Sequence, residues 1–164
     1  RGLVGSEMCI RDSIRMKTQP YAILCSDDDG VVVEGFDYFA TTFRLDDCDG
    51  SEIRNSTLLY PSTSKRSLGY AGEDMDNRHV SRVDDCIGCL VDRCDFLYTD
   101  GAAFEAHGGA SSSQNNTINN SYFYHIDWSG SDQKSLMTTI MMDGTTNRFT
   151  NNTMHRPGPR LQSE

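Results

Sequence analysis

INNSYF, residues 118–123, carries an apolar residue at each end, a turn-type Asn in third place and a small polar Ser in fourth. The same skeleton returns as IRNSTL from Ile53, VDRCDF from Val91 and FTNNTM from Phe149, with a looser copy, VEGFDY, from Val33. Repeats of this kind are the signature of stacked architectures and take precedence over local propensity. The starts are 20, 38, 27 and 31 residues apart, so the shortest step is a bare repeat and the longer ones carry insertions. The third position holds Gly35, Asn55, Arg93, Asn120 and Asn151. Asn and Gly tolerate a left-handed backbone, which a sharp corner between two short strands requires, and Arg93 departs from that rule. The apolar first and sixth residues are expected to point inward, following the alternation of strands. A helix is excluded, because NNTINNSYFY and NRFTNNTM are dense in Asn and β-formers without a 3.6-residue stripe.

Composition bounds the alternatives. At 164 residues the chain has room for one domain and too little for two. Fifteen Lys and Arg against 24 Asp and Glu give a net charge of −9, and with no basic run nucleic acid is not expected as a partner. No stretch approaches the roughly 18 apolar residues of a membrane span. No Gly-rich phosphate loop is present either: GGASSS lacks the Lys and the strand–helix setting.

The first residues are a separate matter. LVGSEMCIRD, residues 3–12, reads as the translation of a transposase-based sequencing-library adapter. Residues 1–13 are therefore expected to be non-native and disordered, and are set aside from fold reasoning. Arg1 and Arg11 cancel Glu7 and Asp12, so the net charge is unchanged, while Cys9 leaves five cysteines. A signal peptide upstream would not be visible in such a sequence. Residues 14–164 are expected to form the solenoid, with a loop insertion at about 61–79.

A coil of about 20 residues with several short strands and an Asn corner resembles the right-handed single-stranded parallel β-helix of the pectate-lyase-like and polygalacturonase-like superfamily. The phrases VVVEGFDYFATTF, NSTLLYPSTSKR, FLYTDGAAFE and FYHIDWSG resemble secreted β-helix proteins of environmental bacteria that act on polysaccharides. The resemblance covers about residues 20–155. It implies an all-β fold of about five rungs, truncated at both ends for want of capping segments. It also implies a polysaccharide partner and a secreted, periplasmic or cell-surface location. An antiparallel sandwich is the competing fold, and it would want hairpin signals every 8–12 residues or so.

Equal offsets from the motif start should stack on neighbouring coils about 4.8 Å apart. Seven residues on lie Tyr60, Tyr98, His125 and Arg156; nine on lie Ser62, Asp100 and Asp127, followed by Gly101 and Trp128. Aromatic rings beside carboxylates and hydroxyls form what a sugar-binding groove needs. Tyr60, Tyr98, Trp128 and Arg156 are the candidate substrate-binding residues, Arg156 facing a uronate. Asp100, Asp127 and His125 are the candidate catalytic set. Two carboxylates one rung apart would raise one pKa, supplying an acid for a glycosidic oxygen, or would share a cation such as calcium. Each Asp is equally readable as a turn cap, in TDG and DWSG, and His125 as a structural residue. The reactions in view are those of a polysaccharide lyase or a glycoside hydrolase. The alternative is a non-catalytic glycan-binding or adhesin module, which needs the corners but no acid–base pair.

Five residues before the start, Cys48 and Cys86 should stack, either as a disulfide or as reduced core residues. Cys86 and Cys89 form CxxC, but no second matched pair completes a zinc site. SDDDG at residues 26–30 reads as a turn, and the acidic Glu73, Asp74 and Asp76 as part of a solvated loop. Asn-x-Ser/Thr triplets at Asn55, Asn115, Asn119 and Asn151 are accounted for by the corner motif rather than by glycosylation.

Overall fold

A computed structural model describes residues 21–61, 80–99, 102–126 and 140–157. In chain order its strands are β1 (Tyr21–Ser26), β2 (Val32–Glu34), β3 (Asp37–Phe39), β4 (Thr42–Asp46), β5 (Glu52–Arg54), β6 (Thr57–Leu59), β7 (Ser81–Asp84) and β8 (Leu90–Asp92). They continue with β9 (Asp95–Leu97), β10 (Phe104–His107), β11 (Thr117–Asn119), β12 (Tyr122–Ile126), β13 (Ile140–Met142), β14 (Arg148–Thr150) and β15 (Thr153–Pro157). Every third strand joins the same sheet. The orders are β1-β4-β7-β10-β13, β2-β5-β8-β11-β14 and β3-β6-β9-β12-β15, and all pairs are parallel. Three parallel sheets without a helix among the described residues are the architecture of a parallel β-helix.

The register follows the sequence motif. Val33 pairs with Ile53, Ile53 with Val91, Val91 with Ile118 and Ile118 with Phe149. The third position is left-handed in every copy: φ is 75° at Gly35, 48° at Asn55, 53° at Arg93, 50° at Asn120 and 54° at Asn151. Arg93 thus takes the corner despite its side chain, because its N–H must reach Asn119 O, at 3.1 Å, on the next coil. Asn55, Asn115 and Asn151 of the glycosylation-like triplets are all left-handed corners.

The small polar fourth position has a physical reason as well. At this corner one backbone N–H turns into the interior and needs an acceptor. Ser56 Oγ accepts from Phe36 N (3.2 Å), Ser121 Oγ from Cys94 N (3.1 Å) and Asn152 Oδ1 from Ser121 N (2.7 Å). A second row does the same near the other end of the second sheet, where Ser51 Oγ accepts from Val31 N, Asn116 Oδ1 from Cys89 N and Asn147 Oδ1 from Asn116 N. Asn116 is 2% exposed, so its donors have to be met too, and its Nδ2 reaches Cys86 O at 2.8 Å.

Between the sheets the core is built of like on like. Ile53, Val91 and Ile118 stack from the second sheet, and Leu58, Phe96 and Phe123 from the third; the Phe96 and Phe123 rings lie parallel, 4.8 Å apart. The expected inward set holds except in the last copy. Phe149 and Met154 are 38% and 39% exposed, since no described strand stacks on their far side. Tyr38 occupies the same column as Leu58 but brings a hydroxyl that is buried and unpartnered, and burial pushes that hydroxyl up to about 12.

Two substitutions test this frame by urea denaturation. Ser121→Ala strands the buried Cys94 N–H and should lower stability by about 1–3 kcal/mol. Tyr38→Phe removes an unsatisfied polar atom without changing shape, and stability should rise, by about 1 kcal/mol. A loss in the second variant would mean that the Tyr38 hydroxyl has a partner after all.

Candidate functional site

The corner that closes the third sheet is unlike the others. Its column consists of Ala40, Tyr60, Tyr98, His125 and Arg156, seven residues after each motif start, with φ of 56°, 55°, 57°, 52° and 57°. The backbone demand is the same as elsewhere, for Ala40, Tyr60 and Tyr98 donate their N–H groups to Leu59 O, Leu97 O and Tyr124 O at 2.8–2.9 Å. A left-handed conformation costs an L-residue about 1–2 kcal/mol. Elsewhere Gly and Asn reduce that cost, as in Gly30, Gly50 and Gly88 three residues before the motif. Here bulky Tyr, His and Arg take it on.

Their side chains form a continuous file along the solenoid. Phe39 meets Tyr60 edge to face at 6.0 Å, Tyr60 meets Tyr98 at 5.7 Å, and Tyr98 stacks on His125 at 5.1 Å with 21° between planes. Tyr124 flanks the file, edge-on to Tyr98 at 5.3 Å and to His125 at 4.3 Å, and continues to His155 at 5.2 Å. Arg156 closes it by donating from Nη1 to His125 Nε2 at 3.0 Å, which puts the neutral ring's proton on Nδ1. Phe39 and Tyr60 are 48% and 43% exposed, Tyr98 and His125 are half-buried, and Arg156 is exposed. Desolvation among these rings raises the Tyr98 hydroxyl above its ordinary value, helped by Tyr124 and Tyr60 and opposed by Arg156. Tyr98 therefore stays a neutral hydroxyl, able to donate and accept. The face presents ring edges and hydrogen-bonding groups at a spacing close to one coil.

Four residues expected to act together, Tyr60, Tyr98, His125 and Arg156, are brought together on one face. Asp100, Asp127 and Trp128 lie outside the described residues, and with them the calcium site expected at the two carboxylates. The insertion at 61–79 also falls outside them, apart from Pro61. Cys48 and Cys86 do stack, with Cys86 Sγ accepting from Cys48 N at 3.2 Å, and both are free thiols.

A second polar group escaped the sequence reading. On the outer side of the first sheet, Arg44, Arg82 and Glu105 occupy one register row, and Asp46, Asp84 and His107 the next but one. Arg44 Nε reaches Asp84 Oδ2 at 2.8 Å, Arg44 Nη2 reaches Asp46 Oδ2 at 3.0 Å, and Arg82 Nε reaches Asp84 Oδ1 at 3.3 Å. His107 Nε2 and Glu105 Oε2 are 2.9 Å apart. Arg82, Asp84 and Glu105 are 7%, 4% and 1% exposed, so the middle of this network is covered, while Arg44 and Asp46 are partly exposed. The signal was the alternation in FRLD, SRVD and FEAH. It was lost because FEAH begins four residues earlier relative to its motif, displaced by the GGASSS insertion. Beyond the ends of these strands a groove of about 580 Å³ is lined by Asp27, Asp46, Asp47, Asp49 and Asp85, with Ser26, Ile87 and Ser112.

No family model, curated protein or solved structure gives a significant match to the chain.

Burial raises the Asp84 carboxyl above its ordinary value, and the lowering by Arg82 and Arg44 does not fully offset it. A carboxyl raised on folding favours the folded state most below its unfolded pKa, and that contribution disappears as pH rises through the folded value. The stability difference between the native protein and Asp84→Asn should therefore shift against the native protein as pH climbs from about 3 toward neutrality. Unfolding curves across that range check the sign; a shift in the opposite direction would mean that the arginines outweigh desolvation.

Proposed function

We propose that this chain binds a polysaccharide along the file Phe39, Tyr60, Tyr98, His125 and Arg156, as a secreted or cell-surface right-handed β-helix of about five rungs related to the pectate-lyase-like superfamily. One observation carries the reading: bulky aromatic and basic side chains occupy a left-handed corner where Gly or Asn would cost less. Backbone strain retained at a column of exposed side chains is accounted for when those side chains have a task. The file also suits this ligand. Ring centroids 5.1–5.7 Å apart repeat at about the length of one sugar unit, so successive units of an extended glycan meet equivalent ring edges, hydroxyls and imidazole nitrogens. Arg156 at its end adds a cation for an acidic sugar.

Cleavage of the bound chain, by elimination or hydrolysis, is a second reading. His125 sits within the file, and Asp100 and Asp127 are the carboxylates assigned to the chemistry, with calcium as their shared ion. For His125 to act as a base in this reading, Arg156 would have to release its Nε2 on binding the glycan.

Tyr98→Ala is the informative variant, because Ala40 already occupies this column at φ 56° and the backbone accepts it. Affinity electrophoresis against a panel of neutral and acidic polysaccharides should show retardation of the native protein. Loss of one aromatic contact at about 0.5–1.5 kcal/mol should weaken binding roughly two- to tenfold. Absence of retardation on every glycan would sink the proposal. Release of reducing ends or unsaturated uronates that Asp127→Asn abolishes would establish the second reading.

A further inference from the structure

Among the described residues five cysteines line the interior: Cys25, Cys48, Cys86, Cys89 and Cys94. All five thiols reach backbone carbonyls. The Cys86 thiol donates to Asp84 O at 3.0 Å, Cys89 to Cys48 O at 3.0 Å, and Cys94 to Asp92 O at 3.5 Å. Cys25 and Cys48 reach theirs in the same way, Asp28 O at 3.5 Å and Asp46 O at 3.3 Å, but they also face each other. Cys25 lies near the end of β1, paired with Leu45 on the next coil, and Cys48 follows just past the Asp47 corner with its side chain turned inward. The Cys48 thiol points at Cys25 Sγ, and the two sulfurs are 2.8 Å apart. That is inside ordinary van der Waals contact for sulfur and about 0.8 Å from covalent distance.

We propose that Cys25 and Cys48 form an inter-coil disulfide by exchange with a small-molecule disulfide such as glutathione disulfide. Cys25 is the point of entry, being 8% exposed while Cys48, Cys86 and Cys94 are fully covered. Its thiolate attacks one sulfur of glutathione disulfide; a Cys25–glutathione bond forms and one glutathione thiolate leaves. The Cys48 thiolate then attacks Cys25 Sγ, forming the Cys25–Cys48 bond and releasing the second glutathione thiolate. The two electrons from the protein reduce the glutathione disulfide, and the two thiol protons pass to solvent or to the released thiolates. Burial and the neighbouring Cys48 push the Cys25 thiol up to about 12, so exchange is slow near neutrality and the bond is best formed in mildly alkaline buffer. Once made, it closes a loop between the first two coils, at the end of the solenoid where β1 has a neighbour on one side only among the described strands.

Trypsin makes the assignment direct. Cleavage after Lys17, Arg44, Arg54, Arg82, Arg93 and Lys134 separates Cys25 (residues 18–44), Cys48 (45–54), Cys86 with Cys89 (83–93) and Cys94 (94–134). The folded full chain is incubated with glutathione disulfide, unreacted thiols are alkylated in denaturant, and the digest is mapped by mass spectrometry. The expected product is 18–44 joined to 45–54, two hydrogens lighter than their sum, with Cys86, Cys89 and Cys94 alkylated. Cys25→Ser should lose this product and leave Cys48 alkylated; if that variant does not fold, the native map alone decides. A 45–54 to 83–93 link, a bridge confined to 83–93, or full alkylation overturns the proposal. So does the same mixture of links from folded and denatured chain.

Discussion

Everything in this molecule depends on the coil-to-coil register being held without drift. The corners flanking the second sheet fix it twice. A left-handed residue turns its N–H onto a carbonyl of the neighbouring coil, as Asn55 does onto Asp92 O and Asn120 onto Thr150 O. One residue later a Ser or Asn side chain of the next coil receives the inward N–H that the corner would otherwise strand, as at Phe36 and Cys94. A one-residue slip would break both sets and reverse the facing of every strand. With the register pinned, equal positions become neighbours. Phenylalanines, thiols and tyrosines then stack in files across segments 20 to 40 residues apart in sequence.

The hexapeptide motif made the second and third sheets readable because both lie within a few residues of it, with no insertion intervening. The file Tyr60, Tyr98, His125 and Arg156 followed by counting forward seven places. Its left-handed backbone did not, since Tyr, His and Arg are not residues that announce such a conformation, and Arg93 hides a corner in the same way. The first sheet was less legible. It precedes the motif across a connection that varies in length, so Glu105 and His107 fell out of step with Arg82 and Asp84 although the strands are aligned. The stacking of Cys48 on Cys86 as reduced core thiols was legible, whereas the contact with Cys25 was not. Counting placed Cys48 over Cys86, which it is, but Cys25 sits at a different offset and reaches Cys48 because the Asp47 corner turns the latter's side chain back toward it.

The strained file makes sense as a division of labour. Most corners whose residues only turn the chain use Gly, Asn or Asp, such as Gly50 and Gly88, Asn115, Asp47 and Asp85, with Arg93 and Thr146 as exceptions. The corner after the third sheet accepts extra strain and recovers part of it through ring contacts, each ring resting on the one before. A single Tyr there would bear the conformational cost alone. A file shares it, because Tyr98 touches Tyr60, Tyr124 and His125 at once. The same contacts limit rotation of the rings, so the surface is set before any ligand arrives, which is where a rigid scaffold improves affinity.

Stacking like on like suits neutral side chains and is hostile to charged ones, and the chain handles the two cases differently. Unit charges of one sign at the coil spacing of about 4.8 Å repel by roughly 1 kcal/mol in water but by about 3–4 kcal/mol where the effective dielectric is near 20. The column Asp27, Asp47 and Asp85 lies at exposed corners beside the acidic groove, where water keeps the repulsion small. On the covered first sheet a column of one sign would be far more costly. There the two arginines, Arg44 and Arg82, share a square with Asp46 and Asp84, so that each like-charged neighbour is offset by opposite charges along and across the strands. The next coil changes the pattern again, setting Glu105 beside Arg82 and His107 beside Asp84. Burial thus decides where this solenoid can repeat a charge unaided and where a repeated charge needs opposite charges beside it.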